Sequence, residues 1–193
     1  RIVNFSLKST FFMQEGIEVY GIRADEKTPT TYTNISEEDI EKLNYGQDLP
    51  FLLQSTPSTV VTSDAGAGVG YTGVRIRGVD TTRTNVTVNG IPLNDSESQG
   101  VFWVNMPDFA SSVESMQVQR GVGTSSNGAA AFGASINVNT NQLNKEPYAE
   151  IDNSGGSFNT LRNSVRVGSG LLNEHFTVDA RLSRIVSDGY IDR

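Results

Sequence analysis

The C-terminal quarter of the chain alternates apolar and polar residues with the two-residue period of a β-strand. In its clearest segment, Val178 and Leu182 fall on one face, and Asp179 and Arg181 fall on the other. Three strands are predicted, at residues 147–155, 158–168 and 175–187. Their polar faces would suit the water-filled lumen of a membrane β-barrel. The pattern leaves open what the apolar faces contact, because a soluble sandwich alternates in the same way.

Short helices are predicted in the middle of the chain. The segment NISEEDIEKLN carries a capping box, with Ser36 as the N-cap and Asp39 three residues later. Ile35 and Ile40 occupy the two positions of a hydrophobic staple. These local signals predict a helix that begins at Ser36 and packs on the rest of the domain.

Two further helices are predicted from proline and acidic residues. QDLPFLLQSTP places Asp48 as the cap, with Pro50 in the first turn. NMPDFASSVE repeats the device, with Asn105 and Asp108 around Pro107. In this interpretation, capping accounts for the polar side chains of all three helices.

Four short strands accompany the helices, and each has one apolar and one polar face. Met116 and Val118, for example, alternate with Gln117 and Gln119. The apolar faces are expected to pack on the helices. The polar faces are rich in Arg, Gln and Asn, which predicts a face in water or one docked against polar walls. The predicted strands are residues 73–79, 85–91, 115–120 and 134–140.

The N-terminal residues form a separate zone. Residues 1–14 alternate like the last strand of an upstream domain, and residues 15–29 are predicted to be an extended segment with a charged linker. No signal-peptide pattern is present at the N-terminus. Because one strand pattern opens the chain and another nearly closes it, we expect a piece of a longer protein.

Composition and motifs argue against several classes of function. The net charge is −7 with scattered basic residues, which argues against a nucleic-acid partner. The chain has no cysteine, and its single histidine, His175, lies far from any nucleophile motif. GAGVGYTG and GVGTSSNG lack the helix, acidic residue or lysine of nucleotide-binding loops. We therefore expect no enzyme activity, no cofactor and no metal site.

Two long motifs resemble those of the TonB-dependent outer-membrane receptors of Gram-negative bacteria. GVRIRGVDTTRTNVTVNGIPLND resembles the core of their plug domain, and SVESMQVQRGVGTSSNGAAAFGASINVNT resembles the plug signature that follows. The likeness runs from about Glu15 to the C-terminus. Three residues depart from the usual pattern, namely Asn89, Val122 and Phe132. These departures bear on which subgroup of the family the chain resembles, more than on its resemblance to the family as a whole.

The resemblance implies an α+β architecture. A plug with a short mixed sheet and small helices would occupy residues 30–143, and the first antiparallel strands of a transmembrane β-barrel would occupy residues 144–193. Residues 15–29 would hold the TonB-box segment and linker, and residues 1–14 the end of a preceding β-sandwich. Three strands close no barrel, and family members use about 22. The apolar strand faces would then contact lipid.

Site residues follow from the same resemblance. The TonB box would be Ile17, Glu18, Val19, Tyr20, Gly21 and Ile22, an extended segment that adds to an edge strand of TonB. Arg77 and Arg120 match plug positions that pair with barrel carboxylates, and both are expected on the polar sheet face. The loop after NGIPLN would contact the ligand. The expected ligand contacts are Tyr71, Asn94, Asp95, Glu97, Gln99 and Trp103.

The implied function is the binding and import of a scarce nutrient across the outer membrane, with energy transmitted by TonB. The implied partners are TonB, the remaining barrel, outer-membrane lipid and a ligand of the iron-siderophore, haem or cobalamin type. An importer of oligosaccharides shares every motif above. A soluble β-rich binding or adhesion module is the alternative from another class, and it requires the C-terminal strands to hide their apolar face.

Overall fold

The computed structural model describes residues 23–123, 128, 130–140 and 143–191. The predicted strand within residues 1–14 and the predicted TonB box at residues 17–22 lie outside the described residues. No helix in the described part of the chain is long and apolar enough to cross a membrane.

The described chain has one short α-helix, four 3₁₀ turns and ten strands, as expected for an α+β protein. Helix α1 is Glu37–Leu43, and the 3₁₀ turns are Leu49–Leu53, Thr81–Arg83, Trp103–Asn105 and Phe109–Ser112. The strands of the plug region (residues 30–143) are β1 Thr31–Ile35, β2 Thr59–Ser63, β3 Thr72–Ile76, β4 Thr84–Val88, β5 Ile91–Pro92, β6 Ser115–Arg120 and β7 Ala134–Asn139. The C-terminal sheet comprises β8 Tyr148–Gly156, β9 Thr160–Gly168 and β10 Asp179–Val186.

The first helix begins as predicted, and the next two elements differ. The Ser36 hydroxyl accepts from the Asp39 amide, and the Asp39 carboxylate accepts from the Ser36 amide, which completes the capping box. The predictions of α-helices capped by Asp48 and Asp108 are wrong, since both segments are 3₁₀ turns without a side-chain cap. Each segment is too short, and too constrained by its proline, to form the i→i−4 hydrogen bonds of an α-helix. Both carboxylates accept hydrogen bonds from other segments of the chain.

A mixed five-stranded sheet forms the centre of the plug region, in the order β1-β6-β7-β4-β5. Strands β4 and β7 are parallel, and the other neighbours are antiparallel. The apolar face carries Met116, Val118 and Ile136, which are fully buried against Leu49 and Leu53. The predicted packing of this face on the short helices is confirmed.

The opposite face of this sheet is polar and buried, so the alternative of a face in water is wrong and the alternative of a face docked against polar groups agrees with the structure. Gln117, Gln119 and Asn137 are each at most 2% exposed. Gln117 binds the backbone of Ala24 in both directions, accepting from its amide at 2.6 Å and donating to its carbonyl at 2.8 Å. The side-chain amide therefore acts like one peptide unit of a neighbouring strand, which satisfies polar groups that burial would otherwise penalise.

The C-terminal sheet is antiparallel in the order β10-β9-β8, and its two faces meet different surroundings. Leu182, Val165 and Ile151 lie side by side across the three strands and are exposed, with Leu182 79% exposed. The alternate residues Arg162 and Ser164 are buried on the other face. The predicted strands are confirmed, and so is the separation of their apolar and polar faces.

The exposed apolar face predicts association of the isolated chain in water. We expect the 193-residue chain to dimerise or aggregate, because a contiguous apolar surface and open strand edges favour contact between copies. A variant that ends at Asn144 is expected to be monomeric and more soluble. Size-exclusion chromatography with light scattering measures both. Monomeric behaviour of both, with equal amide exchange protection throughout residues 147–191, would contradict the prediction.

Candidate functional site

Asn94 fixes the base of the loop at residues 94–105. Its side-chain oxygen accepts from the Val86 amide at 2.8 Å, and its side-chain nitrogen donates to the carbonyls of Thr84 and Gln99 at 2.9 and 2.8 Å. These bonds tie the loop to the first residues of β4. Asn94 is therefore engaged in holding the loop, rather than presented to a ligand.

The next residues form a tight exposed turn. The Asp95 carboxylate accepts from the Glu97 amide and from the amide and hydroxyl of Ser98. The hydrogen bonds from Ser98, that of its amide first, hold the pKa of Asp95 below its usual value. Glu97 and Gln99 are exposed, and Gln99 has a positive φ of 58°. Asp95 shapes the turn that presents these two side chains.

Trp103 does not lie on the surface of this loop. It is 4% exposed and belongs to the hydrophobic core, which corrects its expected place among the ligand contacts. The 3₁₀ turn Trp103–Asn105 directs the indole inward, since a large aromatic side chain gains most by burial. Its neighbour Phe102, which the sequence did not single out, is 51% exposed.

Tyr71 lies on a second loop, between β2 and β3, and is 65% exposed. Asp48 anchors this loop, because its carboxylate accepts from the Thr72 hydroxyl at 2.8 Å and its amide donates to the Gly68 carbonyl at 2.7 Å. Burial raises the pKa of Asp48, and the hydrogen bond from Thr72 opposes that rise. Asp48 thus positions the loop that presents Tyr71.

A cleft of about 510 Å³ lies between the turn of the 94–105 loop and the segment before β7. Gln99 and Ser98 line one side, and Phe132 and Ala130 line the other. Arg83 is the one charged residue among its described lining residues. Of the predicted contacts, the cleft includes Gln99. Arg83 and Phe132 were missed because nothing in their local sequence indicates that they meet across a gap.

The cleft and the N-terminal segment lie at opposite ends of the five-stranded sheet. Asn94 contacts Thr84, whose strand position is level with Ala134 and Arg120. The Arg23 guanidinium instead donates to the hydroxyl and carbonyl of Ser115, at the other end of β6. The loop predicted to contact a ligand, residues 94–105, and the segment that follows the predicted TonB box therefore lie at opposite ends of the sheet.

The structure changes the expected setting of the two plug arginines. Arg77 follows β3 with a positive φ of 55°, and Arg120 continues the row of Met116 and Val118 at the rim of the core-packed face. The expectation that both lie on the polar sheet face is wrong, because that face carries the alternate residues of β6. The Arg77 guanidinium lies beside Gly121, so the two arginines are neighbours. Their pairing with carboxylates stays a prediction.

A buried ionic cluster joins the plug region to the C-terminal sheet. The Asp108 carboxylate accepts from Arg162 Nε at 3.1 Å, from Arg181 Nη1 at 2.8 Å and from the Ser183 hydroxyl. Asp108 is 1% exposed and Arg162 is 3% exposed. The contact is polar, charged and almost dry. The carboxylate stands on the plug region and the arginines on the strands, the reverse of the arrangement expected for Arg77 and Arg120.

Gly46 makes room for this cluster. Its backbone has a φ of +84°, and a Cβ at this position would approach Arg162 Cδ closer than 3.0 Å. Glycine is therefore required both by the backbone and by the packed arginine. Beside the cluster lies a cavity of about 520 Å³, lined by α1, by the turn Phe109–Ser112 and by all three strands of the C-terminal sheet.

Comparisons with known proteins find a family and several relatives that resemble this chain. The family model described as the TonB-dependent Receptor Plug Domain matches residues 24–135. The chain is 26% identical over 128 residues to a probable TonB-dependent siderophore receptor, PirA of Acinetobacter baumannii, covering 61% of this chain and 17% of that protein. It is 28% identical over 156 residues to the vitamin B12 transporter BtuB of Vibrio vulnificus, covering 81% of this chain and 25% of that protein. The chain thus spans a quarter or less of these relatives.

A solved structure shares the fold. The pyoverdine receptor FpvA of Pseudomonas aeruginosa, bound to heterologous pyoverdines, aligns with a TM-score of 0.67 at 18% identity. The alignment covers 83% of this chain and 21% of that chain. At this identity, the likeness is one of fold alone.

The two constraints on Gly46 predict an unequal effect of matched substitutions. Gly46→Ala is expected to lower the free energy of unfolding by about 1–2 kcal/mol for the positive φ and by about 1–3 kcal/mol more for the overlap with Arg162. Gly90→Ala is the control, because Gly90 has a similar φ of +82° and open space around it. Chemical unfolding of both variants at one protein concentration measures the difference. Equal losses would contradict the packing of Arg162 on Gly46.

Proposed function

The chain belongs to the TonB-dependent receptor plug domain family, and on that premise we propose that it is the plug and first barrel strands of a nutrient receptor in the bacterial outer membrane. The receptor binds a scarce nutrient at the cell surface, and TonB supplies the energy for import. The division of the chain follows the sequence expectations: residues 15–29 for the TonB-box segment and linker, 30–143 for the plug and 144–193 for the first barrel strands.

The observation that carries this proposal is the opposite setting of the two faces of the C-terminal sheet. Arg162 and Arg181 turn toward the plug region and bind Asp108, whereas Leu182 and Ile151 turn away and are exposed. A sheet with a polar inner face and an apolar outer face is what a barrel wall requires between a plug and lipid. A soluble module would cover the apolar face instead.

The cleft beside Gln99 is the proposed plug contribution to the ligand site. It offers an amide, an exposed aromatic ring and one cation from Arg83. This set suits an anionic or amide-rich chelate more than a neutral sugar, since a guanidinium pairs with carboxylate and similar anions. The relatives described as a siderophore receptor and a vitamin B12 transporter support this class. We propose the exposed rings of Tyr71 and Phe102 as further ligand contacts.

Substitutions in the cleft test the ligand site in the full-length receptor. We expect Arg83→Gln and Gln99→Ala each to weaken binding about tenfold, because each removes hydrogen bonds that a ligand would make. Arg75→Gln is the matched control, since Arg75 is an exposed arginine of β3 that does not line the cleft. Calorimetric titration with cobalamin and with ferric catecholate, hydroxamate and pyoverdine-type siderophores measures the affinity. A bound ligand whose affinity neither variant lowers would contradict the assignment.

Substitution at Val19 tests the TonB box. An added edge strand binds through backbone hydrogen bonds, so Val19→Pro is expected to abolish binding to the purified C-terminal domain of TonB. Val19→Ala keeps the backbone donor and is expected to retain binding. Co-purification with that domain measures both variants. Retained binding of the proline variant would contradict the box assignment and leave the ligand site untouched.

A further inference from the structure

We propose that Asp108 is a latch that holds the plug against the first barrel strands, and that it is opened by force applied through Arg23. The inference rests on the proposed function, because it describes how the plug of such a receptor is kept closed and released. It places the Asp108 carboxylate at the centre of a plug–strand contact to which Ser111 and Ser112 also contribute.

The contacts of Asp108 distinguish it from an ordinary surface ion pair. One carboxylate oxygen accepts from Arg162 Nε and from the Ser111 hydroxyl at 2.6 Å, and the other accepts from Arg181 Nη1 and the Ser183 hydroxyl. Three of these four donors come from β9 and β10. Strands β9 and β10 therefore bind the plug region mainly through this carboxylate.

Because the cluster is buried, the contact between Asp108 and the strands is stable when it is fully formed or fully separated. Asp108 and Arg162 are almost fully removed from water, so loss of one partner leaves the other charge without compensation. Full separation of the sheet from the plug lets water hydrate every member of the cluster. The complete contact and the complete separation are therefore both favoured over a half-broken state.

The plug region holds its half of the latch in a fixed position. Asp108 has a positive φ of 52°, and Ser111 is bound both by Arg162 Nη2 at 2.6 Å and by Asn44 Nδ2 at 2.9 Å. Ser112 accepts from Arg181 Nε at 3.0 Å. The turn that contains these residues is thus bound to the strands at several adjacent points.

A short path leads from the N-terminal segment to this turn. Arg23 grips the hydroxyl and carbonyl of Ser115 at 3.0 and 3.1 Å, and Ser115 is the first residue of β6. The turn Phe109–Ser112 ends three residues before Ser115. Arg23 also donates to the Asn137 carbonyl of β7 at 3.2 Å. Tension on Arg23 therefore reaches both strands, and from Ser115 it passes along the chain to the residues that bind Arg162 and Arg181.

The cavity beside the cluster shows where separation would open a space. Arg162 and Arg181 line its strand side, and Ser111 and Asn44 line its plug side. Release of Asp108 frees both arginines from the plug. The existing volume of about 520 Å³ then widens along the seam between the turn and the C-terminal sheet.

The test uses the full-length receptor in planar lipid bilayers with potassium chloride, without ligand or TonB, and counts channel openings. We expect Asp108→Asn to raise the opening frequency at least about tenfold, because it removes one charge of a buried ionic cluster. Asparagine is a suitable replacement because it tolerates a positive φ. Glu38→Gln, which removes the carboxylate of an exposed ion pair with Lys42, is expected to change nothing. An unchanged frequency for a folded Asp108→Asn receptor overturns the latch.

Two further variants keep the test decisive. If Asp108→Asn does not insert, Arg181→Gln and Ser183→Ala replace it, and unchanged openings in both overturn the latch. Arg23→Gln is expected to leave openings unchanged and to abolish TonB-dependent uptake of a ferric siderophore or cobalamin that the wild type imports, whereas the exposed Lys27→Gln retains uptake. Retained uptake in Arg23→Gln overturns the force path. A wild type that imports none of these ligands contradicts the proposed function, and the opening frequencies still decide the latch.

Discussion

The buried carboxylate of Asp108 holds the plug region and the C-terminal sheet together, and neither part alone could supply all of its hydrogen-bond partners. Asp108 has its partners on strands that lie more than fifty residues further along the chain, at Arg162 and Arg181. An ionised group in a dry environment needs all of its hydrogen-bond partners, so this cluster fixes which face of the sheet turns inward. The apolar face of the sheet therefore points away from the plug region. The buried cluster around Asp108 and the alternation of residues along the strands thus favour the same orientation of the sheet.

The same requirement explains the polar interior of the five-stranded sheet. A face built of Gln and Asn is tolerable in the interior when each amide meets a partner of matching geometry. Gln117 meets that condition by pairing with both backbone groups of Ala24 and with the side chain of Asn34. The sheet therefore has an apolar face that packs on the core and a polar face that binds the backbone of Ala24.

Periodicity and local motifs predicted helix α1, strands β3, β4, β6 and β7 and the C-terminal sheet, because these signals depend on neighbours along the chain; strands β1 and β2 were not predicted. The capping box at Ser36 and the two faces of the C-terminal sheet are local properties of this kind. The partners of Asp108, the burial of Trp103 and the covering of Gln117 depend on contacts between distant segments. A polar strand face has the same sequence whether water or another chain segment lies against it. Asp108 beside Pro107 likewise has the local pattern of a helix cap.

The two hydrogen bonds between Gln117 and Ala24 can break and form again without a change in the sheet. They are made by a side chain, so they open by rotation about side-chain torsions while β6 keeps its pairing with β1 and β7. Opening these two bonds therefore leaves the backbone hydrogen bonds of β6 to β1 and β7 in place. The side-chain amide of Gln117 can then bind the same backbone groups again without any change in the sheet.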